Sequence, residues 1–210
     1  MNLGNCAKNI FIQNLIPNFV VIKNEYYFPK KFMKKLSILL SLLIISCSQE
    51  ATIQQKKYFD LADFINKKTT QLIDNQPVTQ KNISVDDKTE TIETSKIDWK
   101  KELVLFAQAD LNKQAYQASY DAKETPNLLF YTLKNGEDLP VKSLKIELDS
   151  LSKTPKNIEA TLRTKNYLYE SEKHLQMTLA DGKLKNYLIE GSQELFLGSK
   201  KTFRIAGNIK

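Results

Sequence analysis

Nucleophilic and metal-binding side chains are scarce in this chain of 210 residues. It contains two cysteines, Cys6 and Cys47, and one histidine, His174. A Ser–His–Asp hydrolase would have to use His174, which lies in an alternating run beside Glu172 and has no nucleophile-elbow glycine pattern near it. Zinc and iron sites need clusters of His and Cys, which the sequence lacks. The sequence therefore predicts a protein that is not an enzyme and has no metal or cofactor, with His174 on a solvated strand.

Carboxylates are plentiful, so their number alone does not exclude paired-acid chemistry. The adjacent acids Asp86-Asp87 and Glu137-Asp138 fall in predicted turns, where solubility and local hydrogen bonding explain them. Neither pair has the alternating oxygen-ligand spacing of a calcium loop. A carboxylate-based hydrolase remains an alternative hypothesis, and it predicts two acids that face each other in a cleft.

Cys47 follows a short segment that is mostly apolar. Lys34 and Lys35 precede the run from Leu36 to Ile45, whose length of about ten residues is well short of the roughly 20 that a membrane-spanning helix needs. That length suits the core of a signal peptide, and the two lysines supply its positive flank. The alternative interpretation of the run is a buried strand or a short core helix. Cleavage before Cys47 would leave a lone cysteine whose thiol can accept a lipid.

The stretch Met33–Cys47 resembles the signal of bacterial lipoproteins. In that family an aliphatic residue, a small or aliphatic residue and a small residue precede the cysteine, and Ile44-Ile45-Ser46-Cys47 fits this pattern. The resemblance implies that Cys47 carries lipid, including palmitate, and that the membrane is a partner through this lipid. Because Ser48 rather than Asp follows the cysteine, the resemblance implies anchoring to the outer membrane of a Gram-negative envelope, facing the periplasm or the surface.

The same resemblance divides the chain into segments. Residues 33–46 form the signal peptide, residues 47–52 form a lipid-anchored tether, and residues 53–210 form a single domain. Lipoprotein signals begin a few residues before their lysines, so Met33 is expected to be the true start. Residues 1–32 are then a misannotated upstream sequence or a disordered extension.

The net charge of +7 is concentrated before Cys47. Six lysines and one glutamate precede this residue, which leaves 25 basic and 23 acidic residues in the rest of the chain. Those basic residues are spread among the acids rather than gathered into a stripe. The electrostatic footprint of a nucleic-acid-binding protein is therefore missing.

Helical periodicity predicts two amphipathic helices in the first part of the domain. The first is expected to start at the capping box Thr52-Ile53-Gln54-Gln55 and to end near Asp74-Asn75. The second is expected to start at Ser95, with Asp98 in its first turn, and to run to about Asp110. The predicted apolar faces consist of Tyr58, Leu61, Ala62, Ile65, Thr69, Leu72 and Ile73 in the first helix, and of Trp99, Leu103, Phe106 and Ala107 in the second.

Alternating patterns predict strands for the rest of the domain. Residues 78–94 read as a hairpin that turns at Asp86-Asp87-Lys88, and Asp181-Gly182 is typical of a type I′ hairpin turn. Seven further strands are expected near 116–122, 127–134, 141–149, 157–164, 167–180, 183–193 and 199–208. Strands joined by tight hairpins are antiparallel. The predicted fold class is α+β, with a long antiparallel β meander, a curved sheet or half-barrel, covered by two amphipathic helices.

This order of elements loosely resembles the half-barrel with a helical lid of the periplasmic lipoprotein carriers and receptors. The resemblance is one of architecture, and no motif carries it. Aromatic side chains are the one suggestive excess, and Trp99, Tyr131, Tyr167 and Tyr169 are the candidate ligand-binding residues. Strand propensity and core packing explain the same residues without a ligand.

Three functional hypotheses follow from these patterns. The first is a lipid-anchored, non-catalytic binding or accessory module of the cell envelope, whose partner is a protein or another ligand. The second is a carrier or chaperone for a hydrophobic envelope ligand, a lipid or a lipoprotein, which predicts an apolar cavity of the sheet. The third is the carboxylate-based hydrolase.

Overall fold

The computed structural model of the protein describes residues 56–210, in which strands predominate. The helices are α1 (Leu61–Asn75), α2 (Trp99–Glu102) and α3 (Val104–Gln108), with a 3₁₀ turn at Gln114–Tyr116. The strands are β1 (Thr79–Val85), β2 (Lys88–Thr94), β3 (Tyr120–Thr125), β4 (Leu128–Leu133), β5 (Val141–Leu148), β6 (Pro155–Lys165), β7 (Tyr169–Ala180), β8 (Lys183–Leu195) and β9 (Lys201–Ile209). The signal, the tether and the capping box at 52–55 lie outside the described residues. No helix within 56–210 is both long and apolar enough to cross a membrane.

All nine strands belong to one antiparallel sheet in the order β2-β1-β9-β8-β7-β6-β5-β4-β3. The strands from β3 to β9 follow chain order, which confirms the predicted meander. The β1–β2 hairpin, also confirmed, pairs with β9, so that β2 and β3 are the two edges and the sheet is open. Asp181 and Gly182 have φ values of 51° and 69°, the positive angles that a type I′ turn requires.

The two faces of the sheet differ in chemistry because successive side chains of a strand point to opposite sides. One face, called the inner face below, packs against the helices and forms a single apolar core. Leu144, Ile146, Ile158 and Met177 of the sheet are fully buried there together with Phe106 of α3. The opposite face, called the outer face, carries mainly polar side chains.

The start of α1 differs from the sequence prediction. The chain is not helical over residues 56–60, and Asp60 is the N-cap, its carboxylate accepting a hydrogen bond from Asp63 N at 3.2 Å. The buried carboxylate of Asp110 also accepts from Leu61 N at 3.1 Å, where free N–H groups and the helix dipole favour a negative charge. Asn112 Nδ2 donates to the carbonyl of Phe59 at 3.1 Å and helps to hold the chain before the helix. The local cap at Asp60 and this long-range contact with Asp110 together fix the start of the helix at Leu61.

The predicted second helix is two short helices that meet at Leu103. Asp98 rather than Ser95 is the N-cap, since its carboxylate accepts from Lys101 N at 3.2 Å. Leu103 has φ −98° and ψ 3°, outside the helical geometry, and this bend lets Trp99, Leu103 and Phe106 all reach the core. Packing therefore overrides the continuous helical pattern in this segment.

A polar cluster ties α2 to two strands, β1 and β8, on the inner face. Tyr187 Oη donates to one oxygen of Glu102 at 2.7 Å, and Lys81 Nζ lies 2.8 Å from the other. The side chains of Lys81 and Glu102 are only 13% and 14% exposed. Burial, followed by the hydrogen bond to Glu102, raises the pKa of Tyr187 far above its ordinary value, so its hydroxyl remains a donor. Gly207 lies opposite Tyr187 in the sheet register.

We expect Gly207→Ala to destabilise the fold by about 2 kcal/mol, the usual cost of overpacking a core. A Cβ at this position would come within 2.0 Å of the Tyr187 ring and push the ring off Glu102. Urea unfolding of the purified protein measures the difference. The matched control is Gly198→Ala, where the nearest side-chain atom is 3.4 Å away. Equal unfolding free energies for the two variants would contradict the packing argument.

Candidate binding groove on the outer face

Two of the four candidate aromatic residues, Trp99 and Tyr131, lie in the core, each 1% exposed. Trp99 packs edge-on against Tyr187, with the ring centroids 6.1 Å apart. Tyr131 packs edge-on against Tyr58 at 5.2 Å and donates from its hydroxyl to Glu124 at 2.8 Å. Both side chains therefore have packing roles and are not presented on the surface.

The other two candidates, Tyr167 and Tyr169, lie at one end of the sheet. Tyr167 belongs to the turn between β6 and β7 rather than to a strand, and it is 83% exposed. Tyr169 is the first residue of β7 and is half-buried. The strand predicted over 167–180 therefore begins at Tyr169 rather than at Tyr167, and the structure does not gather the four aromatic residues into one site.

The outer face carries a row of uncharged polar side chains that the sequence patterns do not predict. Strand pairing places one residue from each of five neighbouring strands side by side, and we call this set the amide row: Gln80, Asn208, Asn186, Thr178 and Asn157. Four of the five are carboxamides, which both donate and accept hydrogen bonds. A solvated outer face commonly carries Lys and Glu, so uncharged residues at outward positions are the sequence signal that was available.

A groove runs beside the amide row along β9. Its upper part is a hollow of about 270 Å³ with Ala206 and Leu188 at the base and Asn82 and Gln176 at the sides. Its lower part is a hollow of about 370 Å³, and Arg204 lines both. We call the two hollows the outer groove. The remaining side chains that line the lower part include Ser84, Asp86, His174, Glu190 and Thr202.

Most charged groups of the outer groove have a partner of opposite charge or a hydrogen bond. Arg204 Nη1 lies 2.5 Å from Glu190, and His174 Nε2 lies 3.1 Å from Glu172. Asp86 accepts from the backbone N–H of Thr202 at 2.9 Å and pairs with Lys201, and these contacts lower the pKa of Asp86. The groove therefore presents hydrogen-bonding groups with little uncompensated charge.

The adjacent acids named by the sequence do not form one cleft. Asp86-Asp87 occupy the β1–β2 turn, whereas Glu137 and Asp138 lie in the β4–β5 connection, where Ser119 and Lys142 contact them at 3.1 and 3.3 Å. The carboxyl groups with a shifted pKa, Asp86, Asp98, Glu147, Asp149 and Glu170, all have lowered values because N–H groups or ammonium groups bind them. A proton-donating acid would need the opposite shift. In the described part of the chain, no three His, Cys, Asp or Glu side chains are arranged to hold a metal ion.

The chain matches no family model, and neither a curated protein nor a solved structure shows significant similarity to it. The geometry of the chain's own residues is therefore the basis on which a function is inferred.

An ionic clamp closes the turn that carries Tyr167. Glu170 at the start of β7 contacts Lys165 Nζ at 2.8 Å and Arg163 Nη2 at 2.6 Å, both near the end of β6. The hydrogen bond from Lys165, followed by that from Arg163, lowers the pKa of Glu170 to about 2. This folded-state pKa lies below the ordinary value of 4.5. The clamp therefore stabilises the turn fully at pH values above 4.5. Its contribution is lost as the pH falls through about 2.

We expect Lys165→Ala to raise the titration midpoint of Glu170 toward 4.5, since the largest cause of the shift is removed. The side-chain carboxyl ¹³C chemical shift of Glu170, followed by NMR against pH, measures the midpoint. Lys200→Ala serves as the control because it removes the same charge from the next turn but no hydrogen bond to Glu170. A midpoint that does not move in Lys165→Ala would show that Lys165 is not the main cause.

Proposed function

We propose that this protein is a non-catalytic binding module of the cell envelope, anchored to the outer membrane by lipid on Cys47. The observation that carries the binding role is the amide row beside a groove with an apolar base at Ala206 and Leu188. A surface that combines neutral hydrogen-bonding groups with a small apolar base suits a ligand that is itself uncharged and rich in hydroxyl or amide groups.

A neutral glycan with acetamido groups has this chemistry. The hydroxyl and amide groups of such a glycan donate and accept hydrogen bonds, as do the carboxamides of Asn186, Asn208 and Gln176. The C–H face of a sugar ring can pack on Leu188. The amide row crosses five strands, which at the usual strand spacing is about 19 Å. That length accommodates several sugar rings of an extended chain.

The packing of the inner face supports this proposal over a carrier of hydrophobic ligands. A carrier needs an apolar cavity of several hundred Å³, roughly the size of a ligand pocket. The inner face instead packs Leu61, Leu103 and Phe106 of the helical segments against the sheet, all with 0% exposure. The separation of Asp86-Asp87, in the β1–β2 turn, from Glu137 and Asp138, in the β4–β5 connection, likewise supports a binding role over paired-acid hydrolysis.

We expect Cys47→Ser to abolish metabolic labelling with palmitate and to release the protein from the membrane fraction. The thiol is the only side-chain group after the proposed cleavage point that can take the diacylglycerol as a thioether. Gel autoradiography of labelled cells measures the first effect, and fractionation measures the second. Ser48→Ala is the control, because it changes the neighbouring residue without removing the thiol. Labelling that survives Cys47→Ser would refute the lipid anchor.

We expect Asn186→Ala to weaken binding of N-acetylglucosamine oligomers by about five- to tenfold, the loss of one or two hydrogen bonds. Asn186 lies at the centre of the amide row, between Asn208 and Thr178. Isothermal titration calorimetry measures the affinity. Thr132→Ala is the matched control, since Thr132 also faces outward but lies on β4, four strands from β8. Equal affinities for the two variants, or no binding by the unmodified protein, would overturn the assignment of the groove to such glycans.

A further inference from the structure

Large apolar side chains are exposed together at two neighbouring turns of the sheet. We call this set the lower tip: Tyr167 (83% exposed), Leu168 (54%), Leu195 (56%), Phe196 (78%) and Leu197 (93%). They make up half of the ten large hydrophobic side chains that are exposed in the described chain. Exposed apolar residues scattered singly need no explanation, whereas a contiguous group marks an interaction site.

The backbone holds the lower tip in a defined shape. Phe196 N donates to Leu168 O at 2.8 Å, which joins the β8–β9 turn to the β6–β7 turn. The side chain of Asn166 accepts from Leu168 N at 2.8 Å and from Tyr169 N at 3.0 Å. The apolar side chains are therefore presented to solvent by an ordered backbone at the ends of long strands.

The first described residues lie at the same end of the sheet as the lower tip. Lys57 Nζ and Tyr58 Oη both donate to the carbonyl of Gln117, three residues before β3 begins. In an antiparallel meander the start of β3 shares one end of the sheet with the β4–β5, β6–β7 and β8–β9 connections. Arg163 N donates to Pro140 O at 2.8 Å, linking the β4–β5 connection to the end of β6. The chain thus enters the domain at the end that carries the lower tip.

The entry point fixes which end a lipid anchor would hold near a membrane. The eight residues 48–55 span at most about 28 Å when fully extended. An anchor on Cys47 therefore keeps the end that carries the lower tip close to the bilayer, and this step depends on the proposed lipid anchor. Lys200 follows Leu197 closely, and its ammonium group can reach lipid phosphates when the apolar residues enter the bilayer.

We propose that the lower tip inserts into the boundary between headgroups and acyl chains of a lipid bilayer. The protruding shape of two joined turns favours a bilayer over a protein partner, since a fluid lipid surface closes around a convex apolar tip without a preformed pocket. Tyr167 supplies an aromatic ring of the kind enriched at membrane interfaces, and Phe196 supplies an apolar ring that can enter the acyl boundary. Membrane contact at this end leaves both faces of the sheet, including the outer groove, free of the membrane.

Tryptophan fluorescence on vesicles tests this proposal in the full chain. Phe196→Trp places an indole in the lower tip, and Leu151→Trp places one at a position that is 95% exposed in the β5–β6 turn, at the opposite end of the sheet. Both variants carry Cys47→Ser, so that no lipid is attached, and the emission of the buried Trp99 is subtracted with the Cys47→Ser parent. The vesicles contain phosphatidylethanolamine and phosphatidylglycerol, with or without brominated acyl chains.

We expect the indole at position 196 to shift to shorter wavelength on vesicles and to be quenched by brominated lipid several times more strongly than the indole at position 151. The apolar run at 36–45 is common to both variants and would bring the lower tip near the vesicle surface, but bromine atoms on acyl chains quench only an indole that enters the acyl region of the bilayer. Quenching that is equal at the two positions, or absent at position 196, would overturn the proposal, and its absence would favour a protein partner for the tip. Palmitate labelling tests the anchor separately, so failure of either proposal is recognised by itself.

Discussion

The contact among Lys81, Glu102 and Tyr187 determines how this sheet is covered. The chain must cross from edge strand β2 to the opposite edge β3, and α2 lies on that crossover. Glu102 binds the crossover to β1 through Lys81 and to β8 through Tyr187, in surroundings where the two charged side chains are largely removed from water. A buried charge without a partner destabilises the fold, so Lys81 and Tyr187 must both lie where they can bind Glu102.

A second acid on the same crossover acts on α1 in a comparable way. Asp110 accepts hydrogen bonds from Leu61 N and from Asn112 N, and so it fixes both the first turn of the helix and the chain that follows α3. Glu102 and Asp110 lie at opposite ends of one short segment. One end of this segment is therefore bound to the sheet and the other to the long helix, and its apolar residues, Leu103 and Phe106 among them, fill the space between. The crossover is consequently part of the core and not merely a connection.

Local sequence patterns correctly predicted the strands and turns that depend on neighbouring residues alone. Alternation located the strands, as in the Leu144 and Ile146 positions of β5, and Asp181-Gly182 adopts the predicted turn because positive φ depends on the residues themselves. The start of α1 was predicted wrongly because the local cap at Asp60 was not distinguished from the pattern at 52–55, and because the contact that supports the cap comes from Asp110, about fifty positions away. The amide row was not predicted for a similar reason, since Gln80 lies beside Asn208 only because the first strand pairs with the last. The outward residues of β1 and β9 would be polar in any register, so their sequence does not indicate how the two strands pair.

Strand β9 shows how a packing requirement on one face shapes the other. Gly207 is needed on the inner face because the Tyr187 ring occupies the space that a side chain would take. Its neighbour Ala206 points outward, beside Leu188, and is small enough to leave the upper hollow of the outer groove open. β9 also joins the first hairpin to the meander, so it is the strand across which β1 contributes Asn82 to the groove. The groove exists only when this closing pairing has formed, and a ligand that spans β1, β9 and β8 would stabilise the pairing on which the covered core depends.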